Sequence, residues 1–211
     1  MSLLPAIRRA SLGLGLFALI TAGVVAGTRA LTAERIAENQ RAEEYRLLRE
    51  VLPESLRDLP VETVLAGRLT LPASEAVGQR VPFAAWRVER DGRAALILPV
   101  VAQGYGGPIH LLVGIDREGQ LGGVRVSRHQ ETPGLGDPIE RRKSDWILAF
   151  EGASLEAPPR ERWAVRPDGG DFDSFTGATI TPRAVVAAVR RALEYVDAEG
   201  EALFQDEETR P

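Results

Sequence analysis

Apolar residues are concentrated near the N-terminus, in an uncharged run from Ala10 to Thr28 that is rich in Leu, Ala, Gly and Val. As a helix this run would be roughly 28 Å long, close to the hydrocarbon thickness of a bilayer. It predicts one transmembrane anchor within segment 1–30. A cleaved signal peptide is the alternative, because Thr28 and Ala30 place small residues before a cleavage site.

Charges flank this run unequally. Arg8 and Arg9 precede it together with the amino terminus, whereas Arg29 is soon followed by Glu34 and Glu38. The excess of positive charge before the run favours a cytoplasmic N-terminus and an exported remainder.

Charged residues dominate the next segment, 31–55, which is predicted to be a helix continuing from the anchor. Its apolar positions form only a thin stripe at Ile36, Tyr45, Leu48 and Leu52. A thin stripe indicates a solvated helix, with a partner-binding face as the alternative.

Short stretches of strand character follow, separated by turn residues such as Asp91-Gly92. The predicted strands are Val61–Leu71, Ala84–Glu89, Ala94–Ala102, Ile109–Asp116, Leu121–Ser127 and Trp163–Arg166. One helix is predicted around Ile139–Leu148. Thr181 as N-cap and Pro182 at the first helical position predict another, and its apolar stripe is Val185, Val186, Val189, Leu193 and Val196.

These elements indicate an α+β domain over residues 56–198, an antiparallel sheet with packed helices. The acidic tail 199–211 is predicted to fray.

Composition excludes several classes of function. The 211 residues have a net charge of −4, which gives no basic surface for nucleic acid. The chain has no cysteine, so it cannot hold iron–sulfur clusters, disulfides or thiolate metal sites. His110 and His129 are too few for a multi-histidine centre, and neither is assigned a proton-transfer role.

Chemistry is first indicated by residues 173–179, Asp-Ser-Phe-Thr-Gly-Ala-Thr. Gly177 and Ala178 keep this loop sterically open, so the hydroxyls of Thr176 and Thr179 stand ahead of the unpaired N–H groups of a helix start. The positive end of the helix dipole at that place suits a phosphate. An ordinary loop with a helix cap is the alternative that spacing alone leaves open.

A second loop, Glu131–Asp137, could approach a flat ring. Pro133 stiffens it, Gly134 and Gly136 allow close approach of backbone, and Leu135 can cover an apolar ring face. The alternative is an ordinary loop before a helix.

Residues 173–179 resemble the flavinylation motif Asp-x-x-Ser/Thr-Gly-Ala-Thr of one FMN-binding domain family. The G subunit of the Rnf electron-transport complex and the C subunit of the Na⁺-translocating NADH:quinone reductase share this domain. In that family a flavin transferase joins FMN through its phosphate to the last threonine. The resemblance implies that Thr179 is the acceptor and that Asp173, Thr176, Gly177 and Ala178 complete the motif.

Two further segments carry the resemblance to the Rnf G subunit. Tyr105–Pro108 matches its Tyr-Gly-Gly-Pro segment, and His129–Gly136 matches its His-x-Glu-Thr-Pro-Gly-Leu-Gly loop. The family places this loop against the flavin, which implies contacts from Thr132, Gly134 and Leu135.

The resemblance implies an electron-carrier subunit with one covalent FMN, in a complex that couples electron transfer between ferredoxin and NAD to ion translocation. It implies membrane and iron–sulfur subunits as partners, a flavin transferase for maturation, and a single pass through a bacterial inner membrane with the flavin domain in the periplasm. The alternatives are the C subunit of the quinone reductase, an anchored scaffold module without flavin, and a stand-alone periplasmic reductase. Asp173 would repel a nearby phosphate, so we expect the transferase to read it or the loop to use it as a cap.

Overall fold

The computed structural model describes residues 3–205, in which helices pack on a five-stranded antiparallel sheet. The helices are α1 (Leu3–Val51), α2 (Val61–Ala66) and α3 (Ile180–Glu199). The strands are β1 (Arg68–Leu71), β2 (Phe83–Arg90), β3 (Arg93–Gln103), β4 (Pro108–Asp116) and β5 (Leu121–Arg128). Neighbouring strands pair in chain order. The predicted α+β fold is confirmed.

The described chain divides into two compact units after Glu44, residues 3–44 and residues 45–205. Within the first unit, α1 contains the stretch Ser11–Ile36, whose 26 residues are long and apolar enough to cross a membrane. Its apolar side chains are exposed, with Leu12 at 78 % and Phe17 at 68 %. Such exposure is favourable where lipid surrounds a helix.

Both faces of strand β3 are buried in the second unit. Leu96 and Leu98 lie in one core together with Val185 of α3, whereas Ile97 lies in a second core with Val51 at the end of α1. Successive residues of a strand point to opposite faces of the sheet. The sheet is therefore covered on both sides by helical segments.

The end of α1 packs closely on the sheet because glycines leave room for it. A Cβ on Gly114 would lie 1.9 Å from the carbonyl oxygen of Val51, and one on Gly122 would lie 2.4 Å from the nitrogen of Pro53. Leu48 and Val51 are fully buried. The predicted solvated helix is therefore wrong for this last part of α1.

Arg125 of β5 connects the sheet to the end of α1 through an ion pair with Glu50. Its side chain is almost fully buried, and its guanidinium lies 2.8 Å from Glu50 and 2.9 Å from Glu151. Loss of either carboxylate would leave a buried charge with fewer partners, which is costly.

Residues 61–66 are helical, so only the end of the predicted strand Val61–Leu71 is extended. The carbonyl oxygen of Pro60 accepts the N–H groups of Thr63 and Val64 at 3.1 and 3.2 Å. These bonds start a helical turn that the apolar pattern did not reveal.

The predicted helix Ile139–Leu148 is wrong. This region contains two short 3₁₀ helices, Asp137–Ile139 and Trp146–Phe150. The hydroxyl of Ser144 accepts the Trp146 N–H and donates to the Pro138 carbonyl oxygen. A serine side chain that bonds the backbone in this way competes with helix formation.

Two further predictions fail near the C-terminus. The predicted strand Trp163–Arg166 has only an isolated bridge from Val165 to Phe172, because Pro167 enters a 3₁₀ turn and lacks an N–H. Leu203 and Phe204 are buried in the core that contains α3. The predicted fraying is therefore wrong for residues 199–205, and residues 206–211 lie outside the described part of the chain.

Candidate functional site

Residues 173–179 are called the acceptor loop here because they contain the predicted flavin acceptor Thr179. This loop ends in a tight turn that leads directly into α3. The N–H of Ala178 donates to the carbonyl oxygen of Phe175 at 3.1 Å, and Gly177 has a φ of +80°. A turn with positive φ at its third residue favours glycine, which explains Gly177. Thr179 is then the residue immediately before α3.

Thr179, not Thr181, is the N-cap residue of α3. Its carbonyl oxygen accepts the N–H of Arg183 at 3.2 Å, while its side chain makes no capping hydrogen bond. Thr181 lies inside the first turn, where its buried hydroxyl donates to Glu131. The predicted cap at Thr181, with Pro182 opening the helix, is therefore wrong, and the hydroxyl of Thr179 is not used in capping.

The Leu135 loop, residues 129–136, meets the acceptor loop. Gly134 has a φ of +78°, and its N–H donates to the carboxylate of Asp137 at 2.6 Å. Leu135 remains 47 % exposed, and its Cδ2 is 3.9 Å from the position that a Cβ on Gly177 would take. The two loops thus approach each other through a leucine side chain and a glycine.

A cleft of about 260 Å³ lies between these loops and the start of α3. Its lining residues are Tyr105, Glu131, Thr132, Leu135, Gly136, Gly177, Ala178, Thr179, Ile180 and Thr181. The predicted site residues among them are Thr132, Leu135, Gly177, Ala178 and Thr179. Those that belong to the two loops without lining the cleft are Asp173, Thr176 and Gly134.

Sequence reasoning did not assign a site role to Tyr105, Glu131, Ile180 or Thr181. Tyr105 and Glu131 both belong to segments that carry the family resemblance, and that resemblance could have drawn attention to them. Thr181 was hidden by its interpretation as a helix cap. Ile180 gave no signal, because it continues an apolar pattern.

The cleft is mainly apolar with a few polar groups. Tyr105 and Ile180 are 74 % and 47 % exposed, and together with Leu135 they give a carbon-rich rim. The described lining residues include no lysine or arginine. A flat ring with a few hydrogen-bonding groups suits such a site, and the N-terminus of α3 is favourable for an anion.

Asp173, at the start of the acceptor loop, directs its carboxylate to a cation. Its Oδ1 lies 2.9 Å from Arg166, and both side chains are more than half exposed. The carbonyl oxygen of Asp173 accepts the indole N–H of Trp146 at 2.8 Å, and that ring packs against Phe175. Backbone and aromatic contacts hold the loop here, so the carboxylate stays accessible from solvent.

His129 and Glu140 fix the start of the Leu135 loop. The ring Nδ1 of His129 accepts the N–H of Glu131 at 3.0 Å, and its Nε2 lies 2.7 Å from Glu140. Because Nδ1 accepts a hydrogen bond, Nε2 carries the proton and donates a hydrogen bond to Glu140. The hydrogen bond from Arg142, and then that from His129, lowers the pKa of Glu140 below its ordinary value of 4.5, although burial opposes this.

The sequence matches two families that cover both parts of the chain. Residues 104–194, which contain the acceptor loop and the whole cleft lining, match the FMN-binding domain. Residues 1–51, which include the whole of α1, match the RnfG N-terminal region. These two matches indicate a protein with an N-terminal apolar helix followed by an FMN-binding domain.

Relatives of similar length identify the family to which the whole chain belongs. The G subunit of the ion-translocating oxidoreductase complex of Vibrio cholerae is 46 % identical over 197 residues, 92 % of each chain. The protein of the same name from Pseudomonas aeruginosa is 48 % identical over 202 residues, 95 % of this chain and 93 % of the relative. The chain belongs to this family of G subunits.

Among solved structures, Shewanella oneidensis NqrC is similar with a TM-score of 0.44 and 21 % identity, over 72 % of this chain and 74 % of that one.

Glu140→Gln should lower the melting temperature near neutral pH, and the difference from the wild type should shrink as the pH falls below about 5. A carboxyl group whose pKa is lowered by folding stabilises the protein above its unfolded pKa, and this contribution is lost as the pH falls through the folded pKa. Thermal unfolding of the full chain in detergent, from about pH 3 to about pH 7, measures the difference.

Asp116→Asn is the control for this prediction. Burial raises the pKa of Asp116, so the wild type should gain stability relative to this variant as the pH falls. If the melting-temperature difference between Glu140→Gln and the wild type stays constant down to the lowest pH, this result would contradict the lowered pKa of Glu140 in the folded protein.

Proposed function

We propose that this protein is a covalent-FMN electron-carrier subunit of a membrane-bound Rnf-type complex, which couples electron transfer between ferredoxin and NAD to ion translocation. The observation that carries the proposal is the position of Thr179. Thr179 immediately precedes α3, borders the cleft, and makes no capping hydrogen bond with its side chain. It also ends the Asp-x-x-Thr-Gly-Ala-Thr sequence that the family flavinylates.

The residues present fit FMN. Leu135 and Ile180 offer apolar surface to the ring, and Thr132 offers a hydroxyl. A phosphoester at the oxygen of Thr179 would place the phosphate beside the N–H groups of the first turn of α3, where the helix dipole favours negative charge. FMN would supply the electron-accepting chemistry, and the protein would supply position and access. Thr179 is then an attachment point and the subunit is a relay, not an independent catalyst.

Covalent attachment has a physical reason in this location. A ligand held with micromolar affinity, about −8 kcal/mol, would be lost by dilution in a compartment without a flavin pool. A phosphoester bond removes that loss. We therefore propose one FMN per chain, attached by a flavin transferase from a flavin phosphoanhydride donor. The Thr179 oxygen bonds to the FMN phosphorus, the P–O–P bond of the donor breaks, and the second phosphate group leaves as the hydroxyl loses its proton.

The proposed membrane arrangement is supported by the charges that flank the apolar stretch of α1. The apolar stretch Ser11–Ile36 would cross the inner membrane once. Arg8 and Arg9 favour a cytoplasmic N-terminus, which places the flavin domain in the periplasm. Because the chain has no cysteine, partner subunits must supply the iron–sulfur centres of the complex.

Thr179→Ala should abolish covalent flavin in membranes of a host that contains the transferase, because the attacking hydroxyl is lost. Thr179→Ser should retain it. In-gel flavin fluorescence after denaturing electrophoresis gives the loaded fraction. Thr132→Val is the matched control, since it removes a threonine hydroxyl from the opposite wall of the same cleft and should leave the flavin attached. A fluorescent Thr179→Ala band would contradict the assignment of the acceptor.

Asp173→Ala should also abolish loading, because we propose that the transferase reads this exposed carboxylate. Arg166→Ala, which removes only the ion-pair partner, should still load. Both variants should fold, since an exposed pair contributes only about 0 to 1 kcal/mol. Equal loss of flavin in both would show that the ion pair matters for loop structure, and a loaded Asp173→Ala protein would refute the recognition role.

A further inference from the structure

Glu131 is a buried acidic residue in the wall of the cleft. It is 5 % exposed and is one of four buried polar or charged residues in the described chain, with Arg125, Asp137 and Thr181. Burial of a carboxylate is costly unless hydrogen bonds satisfy it. Its partners therefore show what this residue holds in place.

The carboxylate joins three segments of the chain. One oxygen accepts the N–H of Gly106 at 2.8 Å, and the other accepts the N–H of Tyr105 at 3.3 Å and the hydroxyl of Thr181. All three partners are donors, so the group acts only as an acceptor, as the ionised form does. Glu131 thereby ties its own loop to residues 104–107, called the Tyr105 turn, and to the first turn of α3, next to Thr179.

Glycines on two sides make room for this carboxylate. A Cβ on Gly104 would lie 2.4 Å from one carboxylate oxygen, and a Cβ on Gly136 would lie 2.9 Å from the other. Neither glycine has a positive φ, so backbone conformation does not require them. The two glycines are required because a larger residue at either position would collide with the Glu131 side chain.

The charge of Glu131 is balanced in the cleft by dipoles. Two of its partners are peptide N–H groups and the third is a hydroxyl, and the described lining residues contain no lysine or arginine. A fixed negative charge disfavours further negative charge nearby. It therefore opposes electron uptake by any group that occupies the cleft.

We propose that Glu131 is a positioning residue of the flavin site that also lowers the reduction potential of the bound flavin. This inference rests on the proposed function, because it takes FMN at Thr179 as the occupant of the cleft. Its carboxylate holds the Tyr105 turn and the first turn of α3 together, and its charge makes reduction less favourable.

Redox titration of the detergent-extracted, flavin-loaded full chain tests the charge. Glu131→Gln keeps the shape and removes the charge, and it should shift the oxidised-to-reduced ratio at the wild-type midpoint at least tenfold towards the reduced form. That is about 30 mV for a two-electron couple. Glu89→Gln is the matched control, because it also removes a carboxylate charge but at an exposed position on β2 outside the cleft lining, so its midpoint should stay near that of the wild type. An unchanged midpoint in Glu131→Gln would overturn the proposal.

Amide hydrogen exchange of the flavin-free protein tests the positioning role without the cofactor. Glu131→Gln should exchange faster at residues 105–106 and at the start of α3, and exchange at the end of α3 should be unchanged. Unaltered exchange at both cleft segments would refute the positioning role. If the wild type carries no flavin, the proposed function fails, while this exchange measurement still decides whether Glu131 joins the segments.

Discussion

Strands β3 and β4 bury side chains on both faces, and an apolar sheet of this kind is stable only when helices or loops cover each face. The end of α1 covers one face and α3 covers the other. Val185 and Val189 fix α3 on the sheet, so they also fix the position of its first residue. Core packing thereby places Thr179 beside Tyr105 and the Leu135 loop, which lie far away in sequence.

The cleft shows how few polar contacts are needed to build such a site. Gly177 allows the turn that delivers Thr179 to the helix start, and Leu135 approaches that turn from the second loop. Glu131 then connects the walls by accepting hydrogen bonds from two other segments. The result is a mainly apolar cleft bordered by Thr179, whose side chain makes no capping hydrogen bond.

The strands were predictable because Asp91-Gly92 and other turn residues separate clear apolar runs, and β2 to β5 lie within a few residues of the predicted spans. The six-residue helix at 61–66 is too short to show a helical period. The region around Ser144 depends on side-chain bonds to the backbone, which apolar patterns do not report.

Long-range contacts limited the prediction of the site. Thr181 lies 50 positions from its partner Glu131, so its sequence neighbours indicate a helix cap and not a buried donor. The docking of α1 on Gly114 is hidden for the same reason, because a glycine in a strand does not say which backbone approaches it. By contrast, the residues of the acceptor loop are contiguous, so their order alone indicated the family resemblance.

Mass spectrometry of the protein extracted from the membranes of its native host tests the central claim most directly. Trypsin should release Thr179 in the peptide from Trp163 to Arg183, because Pro167 blocks cleavage after Arg166. We expect this peptide to carry the added mass of one FMN phosphoester, located at Thr179 by fragmentation. An unmodified Thr179 in folded protein from native membranes would contradict the electron-carrier function.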